Sequence, residues 1–495
     1  MSIGKLRDSF AIDSSHGAAA KKRTRQSLRT AFVSMCAFLL GSEMSIAAEK
    51  PNVLFIAIDD LRCDLGYFGV SHAQTPNLDA FCESARAFSR HYVQVPTCGA
   101  SRLALLRGKY PSKPVHIGNN GIAATSSQWA KQSLPGLFQQ AGYRTLALGK
   151  ISHHPGGLTG KNWSVPPEEL PGVWERSWVP AGPWPHPLAM MHGYADGAAR
   201  VPGKSPALEM RDVADESYPD GLVARDAVAT LTELSAQTKP WFFAVGFFKP
   251  HLPFAAPKKY FDLHNKPIPS LPLEAAMKPS WPSSFHTSGE FRGNYSHPAG
   301  KDPATDADYA QEIRRAYAAS VSYVDAQVGK VLAALREKKL EQNTIVVIWG
   351  DHGFLLGEHA IWGKHCLYEN ALRSPLIIRY PGMPQPGKIS DAIVETVDVI
   401  PTLADLCDVK MPIDLDGKTL RPQLKDPARA SSKPARGFWN SGLKTVRTDR
   451  WRLIIDPKAK RAELFDYQTD QLETQNRAVK DAARIAELRA MMEKS

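Results

Sequence analysis

The sequence has no apolar run long enough to cross a bilayer. The most apolar stretch of its N-terminal region, Ala31 to Leu40, is about ten residues long, against the ~20 that a spanning helix needs. Stable membrane insertion is therefore not expected. Cysteine is scarce too, with six in 495 residues. Cys36 falls in the N-terminal region and Cys98 in a motif treated below, leaving Cys63, Cys82, Cys366 and Cys407. Four cysteines allow at most two disulfides in an oxidising compartment. Their scatter suggests buried single thiols rather than a disulfide framework. No low-complexity tract or internal repeat is visible, and nothing resembles a nucleic-acid-binding module.

What is present is an ordinary globular composition, 43% hydrophobic and 22% charged, in a chain long enough to bury a large core. The basic run Lys21-Lys22-Arg23-Thr24-Arg25, the apolar stretch after it and the small residues Ala47-Ala48 have the order of a secretory signal peptide. Residues 1–48 are read as that peptide and the protein as exported, periplasmic or extracellular. Seven Lys/Arg against three Asp/Glu place +4 of the formal +11 in this leader and +7 in the rest. A basic exported protein suits an anionic partner such as a sulfated polysaccharide.

The remaining chain alternates buried strands with helices. In Pro51–Asp60 the run Val53–Ile58 is apolar without a break, as in a parallel sheet covered on both faces, and Asp59-Asp60 follow it. Open α/β sheets place ligand sites at that edge. Two adjacent carboxylates repel unless a cation lies between them, which points to a hard metal; the same pair also serves as a turn or helix cap. Residues 86–95 form a strand leading to Cys98-Gly99-Ala100-Ser101-Arg102, a turn closing onto a helix. There a cysteine meets backbone N–H groups and a dipole that favour an anion, although a buried structural thiol is equally compatible with the local pattern. The strand Thr145–Leu148 is followed by Gly149-Lys150-Ile151-Ser152-His153-His154. A lysine and a histidine just past a strand can cradle an oxyanion and move a proton.

Residues 156–220 and 262–305 are Pro-rich insertions of the kind that form lids or binding walls. Trp163, Trp174, Trp178 and Trp184 could stack on sugar rings or simply pack. Between the insertions, Trp241–Phe248 is a buried strand ending at Lys249-Pro250-His251-Leu252-Pro253-Phe254, where the flanking prolines predict extended backbone around His251. Tyr309–Lys338 repeats Ile313, Tyr317, Val321, Val324, Val328 and Leu332 at helical spacing, a core-facing stripe. The strand Thr344–Gly350 then delivers Asp351-His352-Gly353, with Trp362-Gly363-Lys364 beyond. After a linker at 426–436, short antiparallel strands at 437–440, 444–455 and 462–467 and a helix at 477–492 predict a small α+β unit.

Cys-x-[Pro/Ala]-Ser-Arg resembles the signature of type I sulfatases, and four further motifs arrive in that family's order. Asp-His-Gly at 351–353, Gly-Lys-x-x-His at 149–153 and Lys-Pro-His-x-Pro-Phe at 249–254 resemble the forms found in iduronate-2-sulfatases. The resemblance spans nearly all of 51–476. It implies an alkaline-phosphatase/sulfatase-like α/β fold: a large mixed, mostly parallel sheet sandwiched by helices, with the catalytic domain at 49–425 and a small C-terminal α+β subdomain at 426–495. It also implies a formylglycine made from Cys98 by a maturation enzyme and held by Arg102. One divalent ion, calcium in the family, would sit among Asp59, Asp60, Cys98, Asp351 and His352, although His352 departs from the oxygen ligand calcium normally takes. Lys150, His251 and Lys364 would contact the sulfate, with His153 as base and His154 as its rival. A sulfated sugar is the implied substrate. The alternatives are a phosphomonoester or phosphonate hydrolase of the same superfamily, or a non-catalytic polysaccharide-binding relative.

Overall fold

The computed structural model describes residues 50–160, 163, 168–279, 289–411, 414–431, 433–458 and 460–493; the leader read at 1–48 lies outside them. Six of the seven residues of the strand Asn52–Ile58 are buried, because both of its faces are covered. Leu54, Ile56 and Ile58 pack with Val223 and Leu231 of the helix Pro219–Leu234 and with Ile313 and Val324 of the helix Ala307–Glu337. Val53, Phe55 and Ala57 point the other way, into Leu105, Phe138, Val399 and Leu403 from the helices Cys98–Arg107, Leu134–Gln140 and Val399–Leu406. A strand with two apolar faces has no reason to alternate polar and apolar residues.

The eight-stranded sheet runs, edge to edge, Lys388–Glu395, Arg86–Tyr92, Leu376–Arg379, Thr344–Gly350, Asn52–Ile58, Trp241–Phe247, Arg144–Gly149, Arg176–Trp178. Only Leu376–Arg379 runs against its neighbours; the other pairings are parallel. This is the large, mostly parallel, helix-flanked sheet expected from the sequence. The parallel register sets Ile58 beside Phe247 and Gly350, and Gly149 beside Gly246. Asp59, Lys150, Asp351 and the loop carrying His251 therefore leave the sheet at one edge.

Several local expectations change. Arg176–Trp178, inside the first Pro-rich insertion, is an edge strand of the main sheet. The four insertion tryptophans pack against the core: Trp184 is buried, with Trp163 against the same cluster, Trp178 stacks on Phe243 at 6.1 Å, and Trp174 lies 6.2 Å from Phe242. The Trp163 indole N–H donates to the Trp184 carbonyl. His251 stands in a turn rather than in extended backbone, its N–H bonded to the Phe248 carbonyl at 2.9 Å. In the C-terminal part, the expected strand at 444–455 is two, Leu443–Arg447 and Trp451–Asp456, with Ala435–Trp439 and Arg461–Asp466 outside them. The turn at Thr448 has neither glycine nor proline to announce it, and Thr448 N–H bonds back to Trp451 O at 2.8 Å. The last helix begins at Ala482 rather than 477, where Asp481 Oδ1 accepts the Arg484 N–H.

Cys63, Cys82, Cys366 and Cys407 are buried free thiols. Among the described residues, no helix is long and apolar enough to cross a membrane.

Candidate active site

Cys98 is the first residue of the helix Cys98–Arg107, every residue of which is buried as far as Leu106. The turn into this helix passes so close to residue 119 that a side chain on Gly99 would lie 2.4 Å from the Asn119 carbonyl. Instead the Gly99 N–H donates to Asn119 Oδ1 at 2.9 Å. At the end of the strand Arg144–Gly149, Gly149 takes φ +78° and faces Gly246. That close approach turns Lys150 inward.

Around Cys98 the loop tips converge. His352 Nε2 and Lys364 Nζ each lie 3.2 Å from Cys98 Sγ. Lys364 Nζ donates to Asp60 Oδ1 at 2.8 Å, and His352 Nε2 is 3.3 Å from the same oxygen. Lys150 Nζ bonds Asp59 Oδ2. One atom from each of Asp59, Asp60, Cys98 and His352 falls within 4.8 Å of the others, and all four residues are buried. Asp60 is held at φ +59°, a backbone setting uncommon outside glycine. Its carbonyl accepts the Tyr317 hydroxyl at 2.8 Å and its N–H donates to Asp351 Oδ1 at 2.9 Å. Such strained residues collect at functional sites.

Asp351 borders this group, with Oδ1 3.8 Å from His352 Nε2, while its Oδ2 accepts Arg102 Nε at 2.9 Å. The rest of the Arg102 guanidinium reaches Asp59 Oδ1 at 3.4 Å, Ile151 O at 3.2 Å and the Lys150 carbonyl. Arg102 thus braces the carboxylates, and its hydrogen bonds go to them and to two carbonyls rather than to Cys98.

The electrostatics follow from burial and pairing. Burial alone would raise Asp59, but the neighbouring Lys150, with His251 and Arg102 adding to it, holds it well below the usual carboxylate range. Burial and the Asp59 charge push the Cys98 thiol well above its ordinary value, against the pull of Lys150 and Lys364. The helix N-terminus does not make this cysteine an anion; desolvation wins. Burial lowers His352 to about 4 despite Asp60, so its ring is neutral. Its Nδ1 faces the Gly353 carbonyl at 2.9 Å, which can only accept, so the proton sits there and Nε2 presents a lone pair to the cluster. Asp60 Oδ2 is buried with no hydrogen-bond partner. A bare imidazole nitrogen, an orphaned carboxylate oxygen and a second buried carboxylate around one point are a donor set that suits a divalent cation.

The two candidate histidines differ in their surroundings. His154 is engaged by Glu169, its backbone N–H donating to Oε2 at 2.7 Å and its Nδ1 lying 2.9 Å from Oε1. His153 leaves Nδ1 buried without a hydrogen-bond partner, and burial, reinforced by the neighbouring Lys150 ammonium, keeps it well below the ordinary histidine range. It is a neutral ring whose Nδ1 is unengaged.

Sequence reasoning missed Glu290, on the short helix Gly289–Asn294 of the second insertion. Its Oε1 lies 3.1 Å from His251 Nε2 and its Oε2 3.4 Å from Lys364 Nζ. No motif surrounds it, so nothing local could have flagged it. His251 Nδ1 is 2.7 Å from Leu252 O, so both ring nitrogens face acceptors.

A sheet edge that gathers carboxylates, a neutral imidazole, a buried sulfur and two lysines around one point defines an enzyme site built to hold an oxyanion. The comparisons with known proteins narrow this. Residues 51–409 match the family described as Sulfatase, and 357–495 match that described as N-sulphoglucosamine sulphohydrolase, C-terminal. Iduronate 2-sulfatase of Mus musculus is 30% identical over 414 residues, covering 74% of this chain and 70% of that protein. A protein solved in complex with its substrate D-glucosamine-2-N,6-O-disulfate superposes with a TM-score of 0.69 at 23% identity, over 90% of this chain and 97% of that one. The phosphonate monoester hydrolase of Agrobacterium radiobacter does so with a TM-score of 0.68 at 20% identity, over 89% and 96%. These two structures establish a shared fold. The chain belongs to the sulfatase family and is a sulfuric ester hydrolase, of the iduronate-2-sulfatase-like type I kind.

Proposed function

We propose that the protein removes a sulfate ester from a sulfated sugar, in the manner of an iduronate-2-sulfatase. Residue 98 would work as formylglycine after oxidation by a maturation enzyme, with one divalent ion, calcium by family resemblance, beside it. The observation that carries this reading is the meeting of Asp59, Asp60, Cys98 and His352 within 4.8 Å. The 30% identity to iduronate 2-sulfatase supports a sugar substrate, and a protein of the same fold was solved with a disulfated glucosamine as its substrate.

When bound, the ion supplies a Lewis acid for a sulfate oxygen and lowers the pKa of an adjacent hydroxyl. A formylglycine hydrate at residue 98 would supply a hydroxyl nucleophile and a second hydroxyl from which sulfate could be released. The ligands would be Asp59, Asp60 and His352 Nε2, with Asp351 and the residue at 98 completing the set. Lys150 and Lys364 neutralise the sulfuryl oxygens. His251 Nε2 donates the proton that the departing sugar alcohol needs. His153 Nδ1, unengaged and neutral, takes a proton near residue 98. Arg102 orients Asp59 and Asp351. Residues 1–48 are read as a leader for export, and the basic balance of the remaining chain fits an anionic substrate.

Paired assays of an aryl sulfate and the matching aryl phosphate, with added calcium, test the reading. Faster sulfate turnover is expected. Faster phosphate turnover would move the protein to the phosphonate and phosphomonoester hydrolases, whose fold it shares. A fully formed site without turnover of either would support a polysaccharide-binding role.

A further inference from the structure

We propose that the cleft between residues 111–117 and the hairpin Ala435–Arg447 is a subsite for an anionic sugar residue next to the one that loses its sulfate. The proposal rests on the sulfated-sugar reading above and extends it. Lys113, Lys444 and Lys458 line a cavity of about 620 Å³ together with Phe438 and Trp439, and no acidic side chain lines it. None of the three ammonium groups makes an ion pair among the described residues. The other large cleft beside the C-terminal sheet differs: there Arg90, Arg373 and Arg447 are matched by Glu369, Asp391 and Asp449. Asp456 accepts the Lys458 backbone N–H at 3.0 Å but does not line the cleft, so the charged groups of the lining are all cationic, and such a lining attracts an anion.

The position is as telling as the charge. Lys364, 3.2 Å from Cys98 Sγ, is followed by His365, whose backbone turns at φ +38°. This turn sends the Lys364 side chain into the cluster, while the His365 ring stacks on Trp439, centroids 5.2 Å apart and nearly coplanar at 12°. The Trp439 strand is stitched to the approach to Cys98 through Phe438 N–H to Gln94 O at 2.8 Å. The opposite wall runs on to Asn119, which holds the Gly99 N–H. Both walls therefore continue into the catalytic helix start. An aromatic face for a sugar ring and flexible cations for its sulfate or carboxylate groups are the chemistry that a sulfated oligosaccharide would use.

The test compares Lys113→Ala/Lys444→Ala/Lys458→Ala with the unsubstituted protein on a small aryl sulfate and on size-defined heparin oligosaccharides. The KM for the oligosaccharides is expected to rise about tenfold with a shallower salt dependence, since each exposed ion pair contributes only a fraction of a tenfold step. Aryl sulfate kinetics should stay within twofold. Trp439→Ala should raise the oligosaccharide KM without changing its salt dependence. Equal changes on both substrates, or none, would overturn the subsite. Direct oligosaccharide binding to Cys98→Ala protein separates the two ideas. Lysine-dependent binding to the Cys98→Ala protein, combined with no turnover of any sulfate ester by the unsubstituted protein, would sink the hydrolytic reading and keep the subsite. A DNA oligonucleotide binding as tightly as the sugar would overturn the assignment to a sugar.

Discussion

Arg102→Ala isolates the bracing role that the structure gives this residue. Arg102 is fully buried, and so are its partners Asp59 and Asp351. Removing one member of a buried ion pair leaves the other desolvated and unmatched, which typically costs 3–5 kcal/mol. That is a large share of the ~5–15 kcal/mol that keeps most domains folded. Asp351 has a partial escape, because burial and the Asp59 charge already push it up to about 7. A carboxyl group raised on folding binds its proton more tightly in the native state, so its contribution to stability falls as pH rises. Without Arg102 the carboxyl can remain neutral at pH 6 but is driven to ionise at pH 8.5. The loss should therefore be about 3 kcal/mol at the lower pH and nearer 5 at the higher. Urea unfolding in a chelator at both pH values measures this directly. The double variant Arg102→Met/Asp351→Asn should recover more than about 1 kcal/mol, as expected for groups in contact. A loss under about 1 kcal/mol at both pH values, below the range for a buried pair, would refute the bracing argument.

His153→Ala should lower kcat by two or more orders of magnitude, as for a lost general base, whereas His154→Ala should mainly lower the melting temperature; the reverse pattern in parallel kinetic and melting assays would reassign the base. Glu290→Gln removes a carboxylate that now bridges His251 and Lys364, so inorganic sulfate should inhibit about tenfold more tightly, in line with a charge-assisted hydrogen bond; weaker inhibition would show that Glu290 helps to bind substrate. Glu369 is lowered to about 2, burial being outweighed by Arg447, Arg452 and Arg373. Its folded value lies below the unfolded one, so the stability it contributes is present above about pH 4.5 and is lost as pH falls towards 2. Glu369→Gln should flatten acid unfolding in that window, and an unchanged acid limb would count against the pairing.

The central strands were legible because both of their faces are covered, leaving uninterrupted apolar runs such as Val53–Ile58 and Ile345–Trp349 that lead into charged residues. Asp59, Lys150, Asp351 and Lys364 could be placed because each follows such a run or a motif in fixed order. Glu290 could not, since its role comes from a long insertion folding back across the sheet edge. The edge strand Arg176–Trp178 escaped notice for want of length, and the turn at Thr448 for want of glycine or proline. The sequence suggested an anionic cysteine at a helix start; only the packed structure shows how completely that sulfur is desolvated.

Mass spectrometry of the peptide spanning residue 98, from protein that turns over an aryl sulfate, tests the central claim most directly. The account predicts that sulfur is absent there and an aldehyde oxygen is in its place, in proportion to the active fraction. An intact Cys98 thiol throughout fully active protein would contradict it.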